Sequence, residues 1–189
     1  MQIRWLPPSA DGQYVAEEAW RRAVLDACPF HAEGGCGLAR HGSYRRTHPE
    51  GTRVARFRCP VKGVTISLLP TFLAARLSST LDEVEKVIDA VEGSSSIAEA
   101  VERVRPADEH EAVTSISAAR WVRRRLRPIR AALLALVTLM PELALCPATL
   151  AAIRARLGVS RVLVTLSERG APYLRAVAPP LGLSCRGGR

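Results

Sequence analysis

The sequence predicts an α+β fold that is mostly α, in which a small β-hairpin precedes a bundle of helices. Three observations support this prediction. Cysteines and histidines gather on both sides of a hairpin-like stretch between residues 28 and 70. Two short segments then begin with capping-box patterns typical of helices. A longer segment carries apolar residues at helical spacing and arginines on the opposite face.

These patterns divide the chain into four regions. They are an N-terminal lead-in (1–27), the hairpin domain (28–73), a helical domain (80–140) and a helical extension with a loose tail (141–189). Pro and Gly punctuate residues 1–14, which are expected to be irregular, whereas Val15 to Leu25 has helical composition.

Two strands are predicted at Leu38 to Thr47 and at Thr52 to Cys59. The sequence His-Pro-Glu-Gly between them supplies the proline and glycine of a turn. Val64 to Phe72 is expected to be a further short extended segment.

Three helices are predicted after the hairpin. Thr80 to Val91 begins with Thr80-x-x-Glu83, and Ser96 to Val104 begins with Ser96-x-x-Glu99. The third helix begins near Ser117, after a polar loop at residues 105–114. Its apolar stripe runs through Ala119, Val122, Leu126, Ile129, Leu133 and Met140.

Two further predictions concern the helical region. Pro128 is expected to kink the third helix or to start a new one. A further short helix is predicted at Ala148 to Leu157, where Gly158 stops it, and residues 159–174 fit no single element.

The charge of the chain favours a polyanionic partner. Its formal net charge is +9 and its pI is about 10.2. Two basic stretches, at residues 37–62 and 120–130, flank an acidic helical pair. DNA is therefore expected to contact the hairpin and the third helix.

The five cysteines are interpreted as thiols or metal ligands. The N-terminal residues lack the pattern of a secretory leader, and the longest apolar run is too short to span a bilayer. A reducing, cytoplasmic location without membrane attachment is therefore expected, and disulfides are rare there.

The cysteine and histidine spacing predicts a structural zinc site in the form of a zinc ribbon. Cys28 and His31 have the two-residue gap of a zinc knuckle, and Cys59 returns to them across the hairpin. Either Cys36 or His41 can complete the set, and the spacing of Cys28, His31, Cys36 and His41 also matches a compact zinc knuckle that leaves Cys59 out. The favoured ligands are Cys28, His31, Cys36 and Cys59. The alternative is that these are ordinary thiols without a metal. Cys146 and Cys185 are expected to be buried or free thiols.

Five sequence blocks occur in a fixed order between residues 28 and 127. They are Cys28-Pro29-Phe30-His31, His41-Gly42-Ser43-Tyr44-Arg45-Arg46, Arg56-Phe57-Arg58-Cys59, the segment Thr65 to Leu73 (TISLLPTFL), and Arg120-Trp121-Val122-Arg123-Arg124. Over this part of the chain, a little over half, the sequence resembles bacterial zinc-ribbon and helix-turn-helix proteins related to transposases. The resemblance implies a zinc-ribbon hairpin followed by a helix-turn-helix-like bundle.

The sequence departs from that family at two ligand positions. His31 stands where the family has the second cysteine of the first knuckle, and it can still bind zinc. Lys62 stands at the second cysteine of the second knuckle and cannot replace it. Either Cys36 compensates for this loss or the ribbon has lost its metal.

The predicted function is non-enzymatic binding of duplex DNA. The residues expected to contact DNA are Arg45, Arg46, Arg53, Arg56, Arg58, Arg120, Arg123, Arg124 and Arg127. A transposase catalytic core is argued against, because beyond residue 111 the only acidic residues are Glu142 and Glu168. The alternative is a protein-interaction scaffold in which residues 129–145 bind a second copy or another mobile-element protein.

Overall fold

A computed structural model describes residues 1–104 and 115–183, without the side chains of residues 115–118. The chain folds into two compact units. The first comprises Met1–Leu73 and Ser78–Thr80, and the second comprises Ala74–Leu77 and the chain from Leu81 onward.

The first unit is built on a four-stranded mixed sheet. Its strands are β1 (Gln2–Trp5), β2 (Ala39–Arg45), β3 (Arg53–Cys59) and β4 (Val64–Pro70). They lie in the order β1-β4-β3-β2, with β1 parallel to β4 and the other pairs antiparallel. The two predicted hairpin strands and the extended segment after them are therefore confirmed as β2, β3 and β4.

The prediction of a mostly helical chain with only a small hairpin is wrong. The chain is α+β, with a four-stranded sheet in one unit and five described α-helices in the other. Residues 2–5 were expected to be irregular because Pro7, Pro8 and Gly12 follow them. Instead they pair with β4, which is more than sixty residues away in the chain, for example Gln2 with Ser67. Local composition cannot reveal such a pairing.

The α-helix expected at Val15 to Leu25 does not form, and the residues from 11 to 22 contain 3-10 turns instead. They form two short 3-10 turns, Asp11–Gln13 and Ala19–Arg22. The Arg40 side chain donates hydrogen bonds to two backbone carbonyls at the second 3-10 turn, Ala23 O at 2.9 Å and Trp20 O at 2.6 Å. The strand therefore binds carbonyl groups that an α-helix would use internally.

The second unit contains the helices α1 (Leu81–Glu92), α2 (Ile97–Val104), α3 (Ser115–Leu139), α4 (Leu150–Leu157) and α5 (Val162–Arg169). The four predicted helices correspond to α1–α4, and α5 lies where no element was assigned. The predicted loop at residues 105–114 lies outside the described residues. One half of the predicted box at α2 forms, because the Glu99 amide donates to Ser96 Oγ at 3.2 Å, whereas the Glu99 carboxylate accepts from the amide of Ser95, at 2.9 Å, one residue before the expected donor.

Helix α3 buries the stripe that the sequence predicts. Val122, Leu126, Ile129, Leu133 and Met140 are all buried. Pro128 lies inside the helix without ending it, so no new helix starts there. This stripe fixes which residues of α3 remain on the surface.

One face of α1 caps the starts of two later helices. The Glu85 carboxylate accepts hydrogen bonds from the amides of Val162, at 3.0 Å, and Leu163, at 2.8 Å, at the start of α5. The Glu92 carboxylate accepts from Leu150, at 2.9 Å, and Ala151, at 3.2 Å, at the start of α4. Both carboxylates therefore satisfy amides that have no partner inside their own helix and lie at its positive end.

Ion pairs extend this acidic face. Arg154 contacts Glu85 at 2.9 Å and Asp89 at 2.8 Å, and Arg161 contacts Asp82 at 2.7 Å. The acids at positions 82, 85, 89 and 92 share one side of α1 because they are three or four residues apart. Among the described helices, none combines the length and apolar character needed to cross a bilayer.

Candidate metal centre

Four potential ligands meet at one end of the sheet. Cys28 and His31 belong to a tight turn in which the His31 amide donates to Cys28 O at 3.0 Å. Cys36 lies in the loop before β2, and Cys59 is the last residue of β3. Because β2 and β3 are antiparallel, the start of β2 lies beside the end of β3. The segment before β2 and the end of β3, which carry the four residues, are therefore close together.

The ligand atoms lie at contact distance. His31 Nδ1 is 3.4 Å from Cys28 Sγ and 3.5 Å from Cys59 Sγ. The three sulfurs and one imidazole nitrogen all lie within 4.8 Å of one another. All three cysteines are buried and free, and His31 is half-buried. This cluster can hold a metal ion.

Glycines turn the chain so that Cys36 points back to the knuckle. Gly34, Gly35 and Gly37 have φ values of 82°, 76° and 67°, in the left-handed region that residues with a Cβ avoid. Gly37 also lies against the turn that follows β3, because a Cβ at Gly37 would be 3.4 Å from Pro60 Cγ. The loop therefore brings Cys36 beside the turn that follows Cys59.

Backbone amides surround the three sulfurs. The Lys62 amide donates to Cys59 Sγ at 3.4 Å. The amides of Phe30 and Leu38 similarly bond to Cys28 and Cys36. Each amide lies two or three residues after its cysteine, within the turn that the cysteine begins. Such N–H···S bonds stabilise a thiolate, the form of cysteine that binds metals.

Hydrogen bonds give two of the thiols different acidities. Burial opposes ionisation of Cys28, but bonds with His31, the Phe30 amide and the neighbouring thiols outweigh it and lower the Cys28 pKa to about 7. Burial raises the pKa of Cys36, and its hydrogen bond with Cys28 raises that pKa further. Metal binding requires deprotonated thiols, so it must release protons from this cluster.

The structure places one of the two alternative residues, Cys36, beside Cys28, His31 and Cys59. His41 is exposed on β2 and is absent from the cluster, whereas Cys36 belongs to it. Cys146 is half-buried, and its thiol bonds only to Pro147 O, at 3.5 Å, in the described part of the chain. Cys185 lies outside the described residues. Sequence reasoning missed the three amides, although the glycines around Cys36 indicated a loop that turns back.

The hairpin arginines do not share one face of the sheet. Arg45 pairs directly with Arg53, and Arg53 Nε donates to Ser43 Oγ at 2.9 Å. Arg56 and Arg58 lie on the opposite face, since side chains alternate along the unbroken register of β3. Arg46 follows β2, and its amide donates to Thr52 O at 2.9 Å.

The α3 arginines, in contrast, do share a face. Arg120, Arg123, Arg124 and Arg127 are exposed and follow the spacing i, i+3, i+4, i+7. They lie opposite the buried stripe. Helix α3 contains no acidic residue along its 25 positions, so its own sequence does not neutralise this face. No protein-family model, curated protein or solved structure matches the chain.

Proposed function

We propose that the cluster binds one structural zinc ion. A tetrahedral zinc with Zn–S of about 2.3 Å and Zn–N of about 2.0 Å holds sulfur and nitrogen about 3.5 Å apart. The distances from His31 Nδ1 to Cys28 and Cys59, 3.4 and 3.5 Å, agree with that geometry. Four side-chain ligands fill the coordination shell, which is typical of structural rather than catalytic zinc. A non-enzymatic role is therefore proposed.

We further propose that the protein binds DNA through the arginine face of α3. The observation that carries this proposal is the alignment of Arg120, Arg123, Arg124 and Arg127 opposite a buried apolar stripe. Burial of the stripe fixes the helix in its unit, so the four guanidinium groups face solvent together. Arginine forms paired hydrogen bonds with phosphate oxygens and with guanine.

The hairpin arginines and a simple helix-turn-helix are less well supported as DNA-binding elements. Among the hairpin arginines, Arg45 and Arg53 lie on one face of the sheet and Arg56 and Arg58 on the other, so a DNA backbone that follows one face does not contact all of them. The four-residue turn typical of a helix-turn-helix occurs between α1 and α2, at residues 93–96. Yet α2 contains Glu99 and Glu102, which disfavour phosphate contact. Helix α3 is therefore the proposed DNA-binding element, outside a simple helix-turn-helix arrangement.

Salt-dependent binding tests this proposal. Labelled duplex DNA is titrated with the zinc-loaded protein at low and moderate salt, and binding is followed by fluorescence anisotropy. The variant R120Q/R123Q/R127Q is expected to bind weakly and to lower the slope of log affinity against log salt by about 0.9 per lost phosphate contact. The control R21Q/R169Q/R175Q removes the same charge from exposed positions elsewhere. Equal losses in both variants, or no binding by the wild type, would contradict the proposal.

A scaffold role is the second candidate. Six apolar residues between 129 and 145 are buried within the second unit, but Leu134, Leu139 and Leu145 remain 61%, 39% and 102% exposed. These side chains suit contact with another protein. Light scattering after size exclusion distinguishes the candidates, because a scaffold forms an oligomer and does not respond to added DNA.

A further inference from the structure

Trp121 is an exposed aromatic residue beside the arginine face of α3. It is 42% exposed, whereas Trp20 is only 6% exposed within the first unit. On a helix of 3.6 residues per turn, Trp121 lies between the exposed arginines and the buried stripe, which begins with Val122. Tryptophan is highly buried on average, and a partly exposed indole beside arginines is suited to contact with a ligand.

Arg125 holds the indole in place. Its guanidinium carbon lies 3.7 Å from the centre of the Trp121 ring, one helical turn away. This cation–π contact occupies one face of the indole, and 42% of the residue remains accessible beside it. The ring is therefore fixed on the surface, with Arg124 three residues away on the same helix.

We propose that Trp121 stacks against an unpaired nucleobase, so that α3 prefers DNA that contains single-stranded bases. The inference rests on the proposed DNA binding by the arginine face. In an intact duplex the faces of the bases are covered by their neighbours, and an exposed indole finds no stacking partner. A basic surface combined with an accessible aromatic ring is the arrangement that binds single-stranded nucleic acid.

The test compares three labelled ligands of equal length: a single strand, its duplex, and a single strand made only of abasic sites. Anisotropy titrations use the zinc-loaded wild type and the variants W121L, W121F and L134A. We expect W121L to weaken binding of the normal single strand by about 5- to 150-fold, and to leave duplex and abasic binding within about twofold of the wild type. W121F should retain most of the affinity, and L134A, a change at another exposed position of α3, should retain all of it.

Other outcomes overturn the inference in distinguishable ways. A loss by W121L that is equal for all three ligands assigns Trp121 a structural role. If the wild type binds all three ligands equally and R120Q/R123Q/R127Q abolishes binding, the proposed DNA binding stands and the preference for unpaired bases is wrong. If the wild type binds none of them at low salt, the proposed function fails as well.

Discussion

The imidazole Nδ1 of His31 lies 3.5 Å from the sulfur of Cys59, a residue 28 positions later in the chain. This contact closes the segment that contains β2 and β3. It also places the Cys28–His31 turn directly against the end of β3, three residues before Lys62. The predictions about the metal centre start from this closure.

Replacing Cys36 should remove zinc. Its sulfur is one of four ligand atoms within 4.8 Å of one another, and the lysine at position 62 cannot substitute for it. Elemental analysis should give about one zinc per chain for the wild type and for the control His41→Ala, and almost none for Cys36→Ala. An unchanged zinc content in Cys36→Ala would show that another group completes the site.

Restoring a cysteine in the second knuckle should rescue that variant. The Lys62 amide lies 3.4 Å from Cys59 Sγ, so a short side chain at this position starts beside the cluster. The double variant Cys36→Ala/Lys62→Cys is therefore expected to regain about one zinc per chain, measured in the same way. A double variant without zinc would indicate that the turn cannot direct a thiol toward the site.

Gly34 should resist substitution by alanine because of its backbone conformation. A Cβ at Gly34 meets no atom within 4 Å, but the φ of 82° is unfavourable for alanine. We expect Gly34→Ala to lower the free energy of unfolding by about 1–2 kcal/mol and to speed zinc loss to a chelator. The matched control is Gly12→Ala, where a Cβ is equally free of contacts and φ is not positive. Equal effects of the two substitutions would argue against the conformational cause.

Glu85 should stabilise the second unit more than Glu92. Glu85 is buried and its carboxylate bonds to two amides and to Arg154, whereas Glu92 is exposed. Glu85→Ala is expected to cost about 3 kcal/mol, since it leaves buried donors without a partner. Glu92→Ala should cost at most about 1 kcal/mol, because Thr149 also caps α4. Urea unfolding of both variants measures this difference, and a larger effect of Glu92→Ala would contradict it.

The start of α2 should weaken in acid. Bonds from the Ser95 amide and hydroxyl, together with the charge of Arg103, lower the pKa of Glu99 below its ordinary 4.5. A carboxyl group with a lowered pKa in the folded state stabilises that state above its unfolded pKa. The stabilisation is lost as pH falls from about 4.5 through the folded value. NMR titration should show this pKa, and Glu99→Gln should remove the pH dependence at α2. A Glu99 that titrates at its ordinary value would contradict the assignment.

Local signals predicted the helical unit well. The α3 stripe and the Ser96–Glu99 box depend on residues within a few turns of each other, and sequence spacing reports such contacts. Helix α5 was missed because its N-terminal cap comes from Glu85, 77 residues before Val162. Strand β1 was missed for the same reason, since its partner strand lies far along the chain.

The four side chains of the candidate metal cluster were predictable from the sequence, but the groups around them were not. Residue types and the Gly-Gly turn identified Cys28, His31, Cys36 and Cys59. The amides that bond to the sulfurs belong to the backbone, so no pattern of side chains reveals them. The split of Arg53 from Arg56 and Arg58, in contrast, follows from the alternation of side chains along one strand, so the predicted strand already implied it and the sequence interpretation missed it.

The acidic face of α1 couples residues that lie far apart in the chain. Helices α4 and α5 begin where Glu92 and Glu85 accept their first amides, and Arg154 and Arg161 pair with acids of the same helix. A change at position 85 or 89 alters the environment of Arg154, 69 or 65 residues later. Descendants of this sequence should therefore show correlated replacement at these positions, with acid and arginine lost or exchanged together.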